Sequence, residues 1–265
     1  VTEADGIYQP VFAVKGLAGA VYEITAAEDI ITPDGTLRYA AGEVVDTVTT
    51  DETGLAESKP LYLGKYEVRE VTAPTGYVRN TEVHTAGLVY AGQEVEITET
   101  AADFCNERQK AAVSLDKVLE QDERFGIGKN GELSAVTFGL FAAEELTAAD
   151  GSIIPADGLL EIVSVDENGH AVCKTDLPFG SYYLKELSTD GHYILSDEKS
   201  PIVFEYAGQD TVLVDIKANG GAPIENKLLY GEIHGLKKDE DGGGLAGALI
   251  GLFRADCIEF TTENA

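Results

Sequence analysis

Methionine is absent from all 265 residues, and Lys plus Arg number only 19 against 47 Asp plus Glu, a formal net charge of −28. Without Met, the natural start is expected upstream of Val1, and this window does not decide export signals or anchors. The shortage of basic residues argues against nucleic acid as a partner, because that affinity rests on Lys and Arg displacing counterions from phosphates. No apolar run reaches the roughly 18 residues of a spanning helix, so no membrane span is expected in this window. Cysteine is scarce too: Cys105, Cys173 and Cys257 do not recur at equivalent positions and form neither a disulfide framework nor a metal-ligand spacing. His84, His170, His192 and His234 are scattered without metal or triad spacing. Asp239-Glu240-Asp241-Gly242 lacks the other ligands of a calcium loop and reads as a hairpin turn. No metal and no other cofactor is expected. No nucleophile elbow, phosphate loop or distinctive carboxylate pair marks a conventional enzyme. The acidity is spread along the chain, which fits a solvated surface and leaves a cation-binding face as the sharper alternative.

What the chain does contain is a long internal repeat. Gly64-Lys65-Tyr66-Glu67-Val68-Arg69-Glu70 returns 116 positions later (186 − 70) as Gly180-Ser181-Tyr182-Tyr183-Leu184-Lys185-Glu186. Ala26-Ala27-Glu28 matches Ala142-Ala143-Glu144, Tyr77 matches Tyr193, and Tyr90-Ala91-Gly92-Gln93 matches Tyr206-Ala207-Gly208-Gln209. Solenoid repeats run roughly 20–50 residues, so this one is the size of a domain. Leu245-Ala246-Gly247-Ala248 echoes Leu17-Ala18-Gly19-Ala20 and opens a third copy. The expected partition is 1–109, a unit lacking its first strand; 110–226, a complete unit; and 227–265, the N-terminal part of a third.

Short β-branched or alternating stretches between turn clusters predict strands at 20–24, 43–48, 66–71 and 95–98, giving an all-β sandwich in each unit. The Ala-Ala-Glu segments at Ala26 and Ala142 offer one short helix at most. Side chains of a strand alternate between faces. In 112–119 the apolar face is Val113, Leu115, Lys117 and Leu119, so a lysine stands among core residues. The matching set in 182–186 is Tyr182, Leu184 and Glu186, and near the end of the unit Ile224, Asn226 and Leu228 share a face. Burial pushes a lysine pKa down and a glutamate pKa up, which favours a neutral amine beside a neutral acid. Such an amine is a nucleophile, and the acid can polarise a carboxamide and relay protons to leaving ammonia. The alternation alone weighs this Lys–Asn isopeptide equally with a buried Lys–Glu salt bridge that has Asn as a neighbour.

Residues 17–24, followed by Leu63 to Tyr77 with Glu70, Pro74 and Gly76, and then a strand ending at Asn106, resemble a Cna B-type domain, the prealbumin-like fold of Gram-positive surface adhesins and pilins. The resemblance covers nearly the whole chain and implies tandem Cna B-type β-sandwiches, Ig-like or prealbumin-like, two main units plus the start of a third. In that family a strand glutamate promotes a bond between a first-strand lysine and a last-strand asparagine. By position this implies catalytic Glu186 with bond-forming Lys117 and Asn226 in the second unit. The first unit supplies Glu70 and Asn106, with the lysine falling just before Val1 and Lys15 too near the 17–20 segment to replace it. Lys237 is the candidate in the third. The second unit departs from the family in lacking the Pro of the loop after its glutamate.

The resemblance thus implies a structural stalk of an extracellular, cell-surface or cell-wall protein, stabilised by autocatalytic intramolecular Lys–Asn isopeptide bonds that each form in a single turnover, and not an enzyme in the usual sense. Cell wall or a host-surface ligand would be met through other parts of the full protein. The alternatives are a ligand-binding adhesin module and a non-catalytic accessory region of a secreted enzyme.

Overall fold

The computed structural model describes residues 1–124 and 126–253; Cys257 and the end of the expected third unit lie outside the described residues. In the first repeat the strands are β1 (Thr2–Ala4), β2 (Ile7–Gln9), β3 (Val21–Ala26), β4 (Ile30–Ile31), β5 (Leu37–Tyr39), β6 (Val44–Thr49), β7 (Gly64–Thr72) and β8 (Val83–Leu88). In the second they are β9 (Lys110–Leu119), β10 (Thr137–Ala142), β11 (Leu146–Thr147), β12 (Ile153–Ile154), β13 (Leu159–Ser164), β14 (His170–Val172), β15 (Gly180–Ser188), β16 (Lys199–Phe204), β17 (Leu213–Lys217) and β18 (Ile224–Asn226). The fold is all-β, and its helical content among the described residues is two 3-10 turns, Glu132–Ala135 and Ala218–Gly221.

The repeat is visible in the sheets. Strand order β6-β3-β7-β8 in the first copy is matched by β13-β10-β15-β16 in the second, and the β4-β5 hairpin by β11-β12. The same inward positions are filled: Ile24, Ala26, Ile30, Val45 and Tyr66 form the small core of the first copy. Their counterparts Leu140, Ala142 and Tyr182 belong to the much larger core of the second, with Val113, Leu115, Phe138, Leu160, Leu184 and Phe204.

The copies differ in their second sheet. In residues 110–226 it is built on β9, which pairs antiparallel with β14 and parallel with both β17 and β18. Among the described residues, no strand takes the place of β9 in the first copy. The stretch Val95–Thr98, expected as a strand, is irregular, and Val95 and Ile97 are exposed. The Val95 N–H donates to Gly92 O within a turn, and among the described residues no strand partner takes up the backbone groups of this stretch. Residues 2–9 instead form a hairpin whose β2 pairs in parallel with β13 at Ile7 and Leu159, extending the sheet of the second copy.

The Ala-Ala-Glu segments are not helical: Ala26 and Ala142 end β3 and β10, and bends follow. Strand pairing to β7 and β15 outweighs the local helix preference of alanine there. Residues from Leu229 onward form a separate unit. Within it Ile233, Gly235 and Lys237 are exposed and form no strand, and Asp239 caps a tight turn, accepting the Gly243 and Asp241 backbone N–H groups.

Candidate functional site

Three strands converge on one buried cluster in residues 110–226. The inward phase of β9 places Lys117 with 1% exposure, β15 places Glu186 with 2%, and β18 places Asn226 with 1%. Pairing of β18 with β9 sets Ile224 beside Lys117 and Asn226 beside Leu119, so the lysine reaches Asn226 along the diagonal. Lys117 Nζ donates to Asn226 Oδ1 at 2.5 Å and lies 3.3 Å from Glu186 Oε1. Asn226 Nδ2 contacts Glu186 Oε1 at 2.8 Å and Oε2 at 2.9 Å. The Ser196 backbone N–H donates to Glu186 Oε2 at 2.9 Å, and the Phe138 ring lies 6.0 Å from Lys117 Nζ. Desolvation holds the Lys117 pKa below its ordinary value, with the Glu186 carboxylate pulling the other way. A buried amine poised towards neutrality beside a carboxamide can act as a nucleophile.

Lys117 is held in place from outside as well. Its backbone N–H donates to Gly169 O at 2.7 Å, and Gly169 has a φ of +81°, with space so tight that a Cβ would fall 2.0 Å from Lys117 O.

The first repeat presents the same site with one member absent. Glu70 is 4% exposed; its Oε2 accepts from Asn106 Nδ2 at 2.7 Å and from the Asn80 backbone N–H at 2.6 Å, the counterpart of the Ser196 contact. Glu70 Oε1, whose counterpart faces Lys117 Nζ in the second repeat, is buried and has no hydrogen-bond partner among the described residues. Tyr22 stands across from Glu70 as Phe138 does from Glu186, and burial together with that carboxylate pushes its phenol up to about 12. Lys15 is exposed and outside any strand, and Lys237 is exposed in the unit after Leu229.

Two contributors escape sequence reasoning. Thr189 Oγ1 lies 2.9 Å from Asn226 Nδ2, but its repeat counterpart is Ala73, so the repeat carries no signal for it. The Ser196 contact uses backbone and is invisible to side-chain identity.

Residues 13–101 match the family described as SpaA, a prealbumin-like fold domain. Over this segment the chain is similar to SpaA-type prealbumin-like domains. The match takes in β3 to β8 and Glu70, while Lys117, Glu186 and Asn226 lie in the following copy, which repeats its strand order. A trypsin-resistant surface T6 protein of Streptococcus pyogenes serotype M6 is 31% identical over 93 residues, 34% of this chain and 16% of the relative. Among solved structures, the Bacillus anthracis TIE protein aligns over 88% of this chain and 38% of its own, at 20% identity and a TM-score of 0.47. GBS52, the minor pilin of Streptococcus agalactiae, aligns over 89% of this chain and 96% of its own, at 17% identity and a TM-score of 0.32.

Proposed function

We propose that this chain is part of the structural stalk of an extracellular adhesin or pilin-like surface protein, and that residues 110–226 close themselves with a Lys117–Asn226 isopeptide bond. The observation that carries this reading is the meeting of Lys117, Glu186 and Asn226, all buried and at hydrogen-bond distance. The neutral Lys117 amine attacks Asn226 Cγ. With Glu186 polarising the carboxamide, one proton passes from Nζ to Nδ2, the Cγ–Nδ2 bond breaks, and ammonia departs as the amide forms. A pocket of about 70 Å³, lined in part by Phe138, Glu186, Ser196 and Ile224, adjoins the carboxylate and offers the ammonia a way out. Each molecule reacts once, so the product is a cross-link and not a turnover.

The linked residues stand 109 positions apart, near opposite ends of the unit. Tension entering one end crosses the bond and bypasses the strands between. By analogy with a disulfide closing a loop of similar length, restriction of the unfolded chain stabilises by about 4–5 kcal/mol. The first repeat, with Glu70 and Asn106 but no lysine at Glu70, stays unlinked in this chain.

Intact-mass spectrometry tests the proposal. Purified protein is expected to weigh one ammonia less than its sequence, and Lys117→Met and Glu186→Gln should each restore the full mass. An unmodified mass in correctly folded protein overturns it.

A further inference from the structure

We infer that Thr189 is a second oxyanion donor for the Lys117–Asn226 reaction, an inference that rests on the isopeptide reading above. Thr189 follows β15 directly, three residues beyond Glu186, and its hydroxyl meets the same corner of the Asn226 carboxamide that Glu186 meets. Three oxygens surround that corner: Glu186 Oε1 at 2.8 Å, Glu186 Oε2 at 2.9 Å and Thr189 Oγ1 at 2.9 Å. With Glu186 ionised, all three accept, and the amide nitrogen must face them although it has only two hydrogens.

The reactive state reverses the demand. Once Glu186 takes up a proton, it can donate one hydrogen bond. A half-turn of the carboxamide then places Oδ1 in the corner and the nitrogen beside Lys117 Nζ, with the heavy-atom frame unchanged. Oδ1 has two lone pairs. Protonated Glu186 serves one, and the Thr189 hydroxyl, by rotating from acceptor to donor, serves the other. As the Nζ–Cγ bond forms, negative charge gathers on Oδ1 between these two donors. Thr189 gives up no proton; it holds the charge and keeps its hydrogen throughout.

The first repeat offers the contrast. Its counterpart Ala73 has no hydroxyl, and its backbone N–H is engaged by Gln209 Oε1 at 2.8 Å. Asn106 Nδ2 turns instead to the Val78 carbonyl at 2.9 Å. The two-donor corner is therefore a property of the second repeat.

The test follows ammonia loss by intact mass in protein sampled during cell-free synthesis, for the unaltered chain and for Thr189→Val, Thr189→Ala and Thr189→Ser. Removing one oxyanion donor slows such reactions by about 10²–10³-fold. Val and Ala are expected to link that much more slowly, with circular dichroism unchanged, and Ser to link close to the unaltered rate. Val and Ala linking at the unaltered rate, or Ser as slow as Val, overturns the role of Thr189 and leaves the isopeptide reading standing. No ammonia loss from the unaltered chain overturns both.

Discussion

Lys117 brings a charge-bearing group into a core where its side chain and that of Glu186 have no solvent exposure. Desolvation makes the folded state bind the lysine proton less tightly than the unfolded state does. Between the lowered pKa and the ordinary lysine value, the unfolded chain therefore holds more protons, and stability rises with pH through that window. The effect should be plainest in Glu186→Gln, where the opposing carboxylate is gone and no bond consumes the amine. Its urea midpoint is expected to climb as pH approaches the ordinary lysine value, and a flat midpoint would show that Lys117 is not desolvated. Gly169 acts on the same residue through the backbone. Gly169→Ala strains a left-handed position by about 1–2 kcal/mol and drives a methyl towards Lys117 O. A lower melting temperature and slower ammonia loss are expected, and an unchanged melt would show that the close approach relaxes freely.

One strand decides whether a repeat gains a second large sheet. β14, β17 and β18 all hydrogen-bond to β9, and where β9 has no counterpart none of their equivalents forms. On the proposed isopeptide reading, the buried, unpartnered Glu70 Oε1 is where a first-strand lysine would bind. Placing the sequence of Lys110 to Lys117 directly before Val1 puts a lysine at the position the repeat assigns. Peptide mapping of that variant should reveal a new cross-link to Asn106, lost on Glu70→Gln. Absence of the link, with the second repeat still linked, would show that the first repeat has lost the chemistry. A Lys15–Asn106 link in the unaltered chain would show that the strand register is wrong.

Across residues 1–228 the two repeats are joined by a glutamine exchange. Gln109, fully buried, accepts from the Ala207 N–H at 2.8 Å and donates to Gly208 O at 3.1 Å and Thr211 O at 2.7 Å. Gln209 reaches back to the Ala73 N–H, its carbonyl accepts from the Arg79 N–H at 2.8 Å, and Arg79 pairs with Asp210. Gln109→Ala strands several of these backbone groups, at about 1–3 kcal/mol for each one left dry. Hydrogen exchange should quicken at Ala207, Ala73 and Arg79 together, and loss confined to Ala207 would show that the joint is not cooperative. Limited proteolysis of the unaltered chain should cut the first repeat, with its single large sheet and small core, before the second.

The 116-residue repeat, the strands around Glu70 and Glu186, and the inward phase of Lys117, Glu186 and Asn226 were legible in the chain, because a two-residue alternation records which face each side chain takes. Those are local properties, and they fixed the all-β class and the candidate residues. Val95–Thr98 reads as a strand by the same rule yet is irregular, since alternation records a face and not a partner. The seating of residues 2–9 on β13, the contact of the Thr189 hydroxyl with Asn226, the backbone N–H of Ser196 and the Gln109–Gln209 joint arise between segments far apart in sequence. Only tertiary structure decides them, because a hydrogen bond depends on where two groups meet in space and neither group carries a mark of the other.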